Sequence, residues 1–503
     1  MGHVDHGKTT ILDKLRETSV WSTEVAGITQ HISWSLFNYK GKDITFIDTP
    51  GHQAFQIMRQ IGGKIADIVL LIIAADDGLQ PQTVEAINII KDHNVDFIVV
   101  VNKIDLPGAN PDRIKQQLSE YEILVEGWGG NVPIVEVSGK TGQGLDTLME
   151  TIAVLAEMKE LKYSNEDYGV GVVLDSWVSK SLGKCIDLLV IKGTIKRGFS
   201  IKGSDKKEID RIGVIFDNQS KMVKEVGEGY GARIIGLENS PETGSIIVGV
   251  ENPKDIEKTS TIINELPYKK CQLTCLIDND EAQGPLESFE QLFTEDNRIV
   301  IPLIVKADTQ GVLDAIFFEI KKLGKEYPDV NISIIHSGVG PILMRDLDIA
   351  RTANDIKIIA FNTNTEPQTQ KKAKELGLTI KQYDLIYTMI EDLQKYITKT
   401  IQPEFVKESL GKATVKQVFV LSDGSIVAGS IVTEGKITKG NDLDIMRGEE
   451  VISTTKVDSL RIMKEKVTTV SKGSECGIAI TEKVDIKEGD IISAFKVIKS
   501  TNL

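Results

Sequence analysis

Cysteine is scarce in this sequence: its 503 residues contain four, Cys185, Cys271, Cys275 and Cys476. None has the paired spacing of a metal site, and Cys271 and Cys275, four residues apart, fit one face of a core element. A reducing, cytosol-like compartment agrees with that usage. Long hydrophobic runs are also lacking. The longest, residues 65–75, carries Asp67 and is far too short to cross a bilayer, so it reads as a buried parallel strand and no membrane partner is expected. No positively charged segment followed by an apolar one comes after Met1-Gly2-His3, so no export signal is visible. Positive charge is short as well: the net charge of −14 excludes loose attraction to nucleic acid. The deficit is uneven, with 14 basic and 22 acidic side chains in residues 1–162 against 14 and 13 in 410–503, so any contact with RNA is expected at the C-terminal end.

What is present is ordinary globular protein, 41% hydrophobic and 26% charged. The length calls for about three to five domains. From residue 1 to 162 the apolar strands DITFIDTP, IADIVLLIIAA, VDFIVVVNKID and VPIVEVSG alternate with helical patterns, which means a parallel sheet covered on both faces, closed by a charged helix at 145–161. Residues 166–258 change to short alternating strands punctuated by glycine, the texture of a small antiparallel barrel. That texture returns at 410–503. Gly193-Thr-Ile-Lys-Arg-Gly198 matches Gly435-Lys-Ile-Thr-Lys-Gly440, and Thr243-Gly244-Ser-Ile-Ile247 aligns with Glu488-Gly489-Asp-Ile-Ile492, so the barrel is duplicated or the glycine turns coincide by chance. Between the barrels, 259–298 reads as a helical connection and 299–381 as a small doubly wound α/β unit with helices starting near Thr309, Pro341 and Glu366. Its turns carry no phosphate-loop pattern. Leu385, Ile386, Met389, Ile390, Leu393 and Ile397 keep helical spacing within a connecting helix, 382–408, that Pro403 stops.

The chemistry concentrates in the first domain. Gly2 to Thr9 spell Gly-x4-Gly-Lys-Thr, whose Gly2 and Gly7 expose backbone N–H groups to a β-phosphate, with Lys8 to neutralise it and the Thr9 hydroxyl for Mg²⁺. His3, Val4, Asp5, His6 and Thr10 belong to the same nucleotide-binding loop, His3 and His6 as plain loop residues and Asp5 as a phosphate-loop or cation contact. Asp48-Thr49-Pro50-Gly51 follows a strand, so Asp48 reaches Mg²⁺ through water and the Gly51 N–H faces a γ-phosphate. Asn102-Lys103-Ile104-Asp105 also follows a strand. Asp105 accepts both N–H groups of the guanine edge, Lys103 covers the ring, and Ser138-Gly139-Lys140 offers a backbone N–H to guanine O6. Adenine would leave the carboxylate unpaired, which excludes ATP and selects GTP. Thr29 brings a second hydroxyl to Mg²⁺ when the γ-phosphate is present, as a switch loop does, although a lone threonine is an ordinary loop residue. His52, directly after the Asp48 motif, sits where it can position the attacking water; in other surroundings a lone histidine is more often packed or solvated.

Together GHVDHGKTT, GITQHI, DTPGHQAF, AADDGLQPQT and NKID resemble the translational GTPases. With EYEILVEGWGG, IVKADTQGVLDAI, SGVG and ECGI, the sequence resembles bacterial-type translation initiation factor two over essentially all of its length. That resemblance implies a multidomain α/β plus β protein: a P-loop GTPase domain, two β-barrels, a small doubly wound domain and a long connecting helix. It implies a cytoplasmic or organellar-matrix monomer that uses GTP and Mg²⁺ to place formylmethionyl initiator tRNA on the small ribosomal subunit and to promote joining of the large one. Hydrolysis would occur on the ribosome. Val4 and Ile28 would form an apolar gate beside His52, and Arg461, Glu475, Cys476 and Gly477 would grip the initiator tRNA end.

The departures from the family pattern are Ile462 for a second arginine, Ser430 for a cysteine, Ala26 for the first of two glycines, and Gly139 in the Ser-Ala-Lys turn. An elongation-type carrier of aminoacyl-tRNA and a GTP-switched scaffold without significant hydrolysis are the competing functions. Only Met1 precedes the phosphate loop, which in the family follows a strand ending in methionine. The sheet is therefore expected to lack its first, central strand, the native protein to extend upstream, and the chain as given to bind GTP weakly.

Overall fold

In a computed structural model of the chain, three of the four apolar runs of the first third become a parallel sheet with a helix after each strand, whereas DITFIDTP becomes a strand of an antiparallel hairpin. Residues 1–17, 24, 27–164, 166–203, 210–257, 261, 263, 299–353, 355–401, 405–420, 426–448, 450–463, 465–480, 484 and 486–499 are described. Ala26, Pro403, Cys271, Cys275 and nearly all of the expected connection 259–298 lie outside the described residues. The chain divides into two units, Met1–Asp392 and Leu393–Leu503.

The first unit begins with α1 (Lys8–Arg16), the hairpin β1 (Ser33–Tyr39) and β2 (Lys42–Asp48), α2 (Gln56–Ile65), β3 (Ile68–Ala74) and α3 (Pro81–His93). Then come β4 (Asp96–Asn102), α4 (Pro111–Glu120), β5 (Ile134–Glu136) and α5 (Leu145–Met158). β3, β4 and β5 pair in parallel. Ile98, Val99, Val100 and Val101 of β4 are all fully buried. Alternate residues face opposite sides: Val99 and Val101 pack with Ile87 and Ile90 of α3 and with Ile114 and Leu118 of α4. Ile98 and Val100 pack with Ile11 of α1 and with Leu148 and Ile152 of α5. This two-sided burial is why the strand reads as a continuous apolar run.

On the other side of β3, the Ile72 N–H donates to the Met1 carbonyl (2.8 Å) and Gly2 bridges Ile72. A Cβ on Gly2 would lie 2.2 Å from the Ile72 carbonyl oxygen, so this close approach requires glycine. Among the described residues no strand joins β2 to β3, and the sheet is in two parts, of two and three strands. Ile44 and Phe46 of the hairpin and Ile68 and Leu70 of β3 are accordingly only partly buried.

The next stretch is a nine-stranded antiparallel sheet: β6 (Tyr168–Ser179), β7 (Gly183–Lys196), β8 (Ser200–Gly203), β9 (Asp210–Arg211), β10 (Val214–Phe216), β11 (Met222–Val223), β12 (Glu225–Gly227), β13 (Gly231–Ile235) and β14 (Ile246–Val250). Its ends, the two-residue strands β9 and β11, do not pair with each other, so the expected first barrel is a half-barrel. It meets the hairpin β1–β2, where the Tyr230 hydroxyl donates to Asp43 (2.7 Å).

The small α/β part follows as β15 (Ile299–Ala307), α6 (Gln310–Glu326), β16 (Val330–Val339), α7 (Met344–Ala350), β17 (Lys357–Phe361), α8 (Pro367–Glu375) and β18 (Ile380–Tyr383). Its four parallel strands run in the order β16-β15-β17-β18. Thr309 caps α6 and Pro367 opens α8, as their sequence positions require. The helix expected from about Pro341 begins at Met344. The connecting helix is α9 (Ile386–Ile401), 16 described residues within the expected 382–408.

In the second unit, β19 (Phe405–Val420), β20 (Ile426–Thr438), β21 (Asp442–Arg447), β22 (Glu450–Ile462), β23 (Glu465–Val467), β24 (Thr469–Ser471), β25 (Glu475–Ile480) and β26 (Ile491–Lys499) follow in order. Six of them close a barrel, β19-β26-β21-β22-β25-β20, with β20 returning to β19. Val415, Val432, Leu443, Ile445, Leu460, Ile478 and Ile492 fill its interior.

The shared glycine punctuation has shared geometry. Gly193 stands opposite Gly169 in the half-barrel, and Gly435 opposite Gly411 in the closed one. Both Gly193 and Gly435 are left-handed, and a Cβ on either would lie about 2 Å from a carbonyl oxygen, that of Tyr168 or Leu410. Gly440 is also left-handed, with open space around it. Gly435→Ala is therefore expected to lower the stability of the second unit by about 3 kcal/mol or more, against about 1–2 kcal/mol for Gly440→Ala. Equal denaturant midpoints for the two variants would contradict this. Among the described residues, no helix is long and apolar enough to cross a membrane.

Candidate functional site

The phosphate loop, the ends of β2 and β4 and the turn after β5 surround one cleft of about 320 Å³, a size suited to a cofactor. Asp5, Gly7, Lys8, Thr9 and Thr10 line one end. Asn102, Lys103, Asp105, Leu106, Gly139 and Lys140 line the other, and Val4, Gly27, Ile28, Thr29 and Gly51 border it.

Asn102 ties the ends together: its Nδ2 donates to the His6 carbonyl (2.8 Å) and its Oδ1 accepts from the Gly139 N–H (3.0 Å). A Cβ on Gly7, which is left-handed at φ 81°, would lie 2.4 Å from that Nδ2, so Gly7 serves both the turn and the approach of Asn102. The Ser138 hydroxyl donates to Asp105 Oδ1 (2.7 Å), fixing the carboxylate that the sequence assigns to the base. Lys103 is held at φ 64°, a left-handed turn just beyond the end of β4.

At the phosphate end, Lys8 is buried and donates to the His3 carbonyl (2.6 Å). Burial pushes the pKa of its ammonium down to about 8, against the pull of nearby Asp48. An anion in the cleft relieves that penalty. The Thr9 hydroxyl donates to Asp48 Oδ2 (2.8 Å) and lies 2.7 Å from the Thr29 hydroxyl, which itself donates to Glu24 Oε2 (2.9 Å). Three oxygen–oxygen contacts thus share two hydroxyl protons. This surplus of oxygen acceptors fits a hard divalent cation such as Mg²⁺, which Thr9, Thr29 and Asp48 would hold.

Gly51 follows, and a Cβ there would lie 2.5 Å from Lys8 Nζ and 2.8 Å from the Val4 nitrogen. Its loop is clamped from behind by Arg59, which is fully buried, donates to the Pro50 and His52 carbonyls and forks onto both oxygens of Glu85 (2.8 Å each). Removing Glu85 strands a buried guanidinium. Glu85→Ala should lower the melting temperature by about 6 °C or more, equivalent to about 3 kcal/mol, while Glu85→Gln recovers part of the loss. A shift below about 1 °C for the alanine variant would show that the pair is not needed.

His52 Nδ1 accepts the Ala54 N–H (3.1 Å), so the neutral ring carries its proton on Nε2. Burial, reinforced by Arg59, lowers its pKa to about 4 and keeps it neutral. Its ring packs against Phe55 (6.1 Å between centroids) and Tyr387 (4.1 Å), and it is absent from the cleft lining.

Other assigned residues turn elsewhere. His3 Nδ1 meets Gln82 Oε1, and buried His6 meets Asp77 Oδ2 (3.2 Å) and the Ile72 carbonyl (3.3 Å), so neither imidazole lines the cleft. In the second unit, Arg461 and Gly477 are register partners, and Glu475 and Arg461 are exposed. Cys476 faces the barrel core opposite Ser430, and burial raises its thiol pKa to about 11. The sequence reading missed Glu24, Arg59, Glu85, Leu106 and Tyr387. None has a motif of its own; Arg59 and Glu85 lie 26 residues apart on α2 and α3 and pair only in the folded protein.

Comparison with known proteins agrees with these elements. The family model "Elongation factor Tu GTP binding domain" matches residues 1–158. "Translation-initiation factor 2" matches residues 278–394. Translation initiation factor IF-2 of Clostridium novyi is 39% identical over 506 residues, covering 100% of this chain and 72% of that protein. The IF-2 proteins of a Nitratiruptor species and of Lysinibacillus sphaericus are each 39% identical, over 99% and 98% of this chain. The chain spans 58% and 64% of their respective lengths. With that identity along its whole length, the chain belongs to the translation initiation factor IF-2 family.

Proposed function

We propose that this chain is a GTPase of translation initiation that binds GTP with Mg²⁺, places formylmethionyl initiator tRNA on the small ribosomal subunit and promotes joining of the large one in the cytoplasm. The reading is carried by one observation: Thr9 and Thr29, with Asp48 accepting from the Thr9 hydroxyl, line the same cleft as Asp105. Lys8 neutralises phosphate charge at one end, and Asp105 with the Gly139 turn selects guanine at the other. When bound, Mg²⁺ would offset the charge that develops on the phosphates. Thr29, on the loop that borders the cleft, makes that loop answer to the nucleotide. His52 orients the attacking water through its Nε2–H when it swings to the cleft. Arg461, Glu475 and Gly477 on one strand pair supply the outer surface for the initiator tRNA end, with Cys476 behind them in the barrel wall.

The test is recruitment of tRNA to small subunits by the chain with GTP. Formylmethionyl-tRNA is expected to be retained in preference to unformylated methionyl-tRNA, with the preference lost in Arg461→Ala. Equal retention of the two would favour a general carrier of aminoacyl-tRNA and overturn the initiator assignment.

A further inference from the structure

The α/β part of the first unit grips both segments that border the γ-phosphate end of the cleft. Buried Gln30, the residue after Thr29, donates its side-chain amide to the Asp384 carbonyl (2.8 Å) just before α9. His31 meets Asp308 (3.2 Å) at the end of β15. In the first turn of α9, Tyr387 sets its ring edge-on to His52, 4.1 Å between centroids at 77°. The helix is itself anchored, since the Tyr383 hydroxyl on β18 donates to Asp392 (3.0 Å). His52 is therefore packed against Tyr387 and Phe55. It does not line the cleft.

We propose that Tyr387 is a positioning residue for GTP hydrolysis, holding the His52 imidazole in a resting orientation until the first turn of α9 moves. The inference rests on the assignment of His52 to the attacking water. Its physical content is an aromatic edge contact that must be given up before His52 can swing, and Asp384, three residues before Tyr387, holds Gln30 beside Thr29. Loosening this stretch frees both segments at once. Tyr387 is 41% exposed, so its truncation should leave the fold intact. Arg59, Lys322 and His3 are the groups whose charge acts on His52, and none of them is altered by that change.

The experiment is single-turnover GTP hydrolysis by the full chain without ribosomes, comparing wild type, Tyr387→Ala, Tyr387→Phe and the double variant Tyr387→Ala/His52→Ala. Tyr387→Ala is expected to be about three- to tenfold faster than wild type, the factor that corresponds to one aromatic edge contact, while Tyr387→Phe stays at the wild-type rate. The double variant should fall to the level of His52→Ala alone. Unchanged hydrolysis by Tyr387→Ala, or a double variant as fast as Tyr387→Ala, would overturn the proposal.

The ring signal of His52, assigned by its loss in His52→Ala, gives a readout independent of activity. It should shift in Tyr387→Ala, where the neighbouring aromatic ring is gone, and an unshifted signal would also overturn the contact. If His52→Ala instead leaves ribosome-stimulated hydrolysis untouched, the assignment of His52 fails, and that failure is separate from whether the ring signal reports Tyr387.

Discussion

Replacing His52 by alanine is expected to lower the ribosome-stimulated rate of GTP hydrolysis about 10²- to 10³-fold while leaving GTP affinity within about twofold of wild type. The asymmetry follows from placement. His52 lies outside the cleft lining, so bound nucleotide loses no ground-state contact when it is removed. Its backbone remains under the Arg59 clamp, which holds the Pro50 and His52 carbonyls, so Gly51 keeps its position in the variant. What would disappear, on the proposed role of His52, is the donor that orients water. The Nδ1 lone pair is engaged by the Ala54 N–H, so the Nε2–H is the group available to the reaction. His52→Gln, which retains a side-chain N–H, should recover part of the rate. A loss that appeared in affinity instead of rate would assign His52 to nucleotide binding.

The second large effect concerns the base. Asp105→Asn is expected to weaken GTP binding about 10³-fold or more and to make xanthosine triphosphate the preferred ligand. On the proposed reading the carboxylate would accept N–H groups of the guanine edge, and an amide turned the same way would present its own donor to them, leaving buried polar groups unpaired. Xanthine carries a carbonyl oxygen where guanine has its amino group, so the amide nitrogen of the variant can donate to it. The Ser138 hydroxyl, which donates to Asp105 Oδ1 at 2.7 Å, can donate equally to an asparagine oxygen and so helps fix that orientation. Competition between guanine and xanthine nucleotides on the variant measures the switch. Retained guanine preference would remove Asp105 from the base site.

These residues were legible because each sits where a strand of characteristic pattern ends. The buried β4 run IVVV fixes the position of Asn102 and Asp105, and β2 fixes that of Asp48, without knowledge of any contact. The closed barrel was legible from alternation and glycine punctuation. The opening of its counterpart was not, because closure depends on whether terminal strands are long enough to pair, and β9 and β11 have two residues each. Arg59 and Glu85 were hidden for a similar reason: an arginine on an amphipathic helix looks solvated until a partner on another helix buries it. His3 and His6 show the opposite failure. Motif membership made them loop residues without a partner for either ring, whereas Gln82 and Asp77 draw those rings toward the start of α3. Tyr387 was invisible because its periodicity belongs to α9 and its contact to a loop more than 300 residues earlier.

The most direct test is single-turnover hydrolysis of GTP by the wild-type chain and by His52→Ala, each with and without ribosomes. Ribosomes are expected to accelerate the wild type by on the order of 10³-fold or more, as completing a phosphoryl-transfer site does, and His52→Ala is expected to lose most of that acceleration. A wild-type rate unmoved by ribosomes, or full acceleration of His52→Ala, would contradict the account.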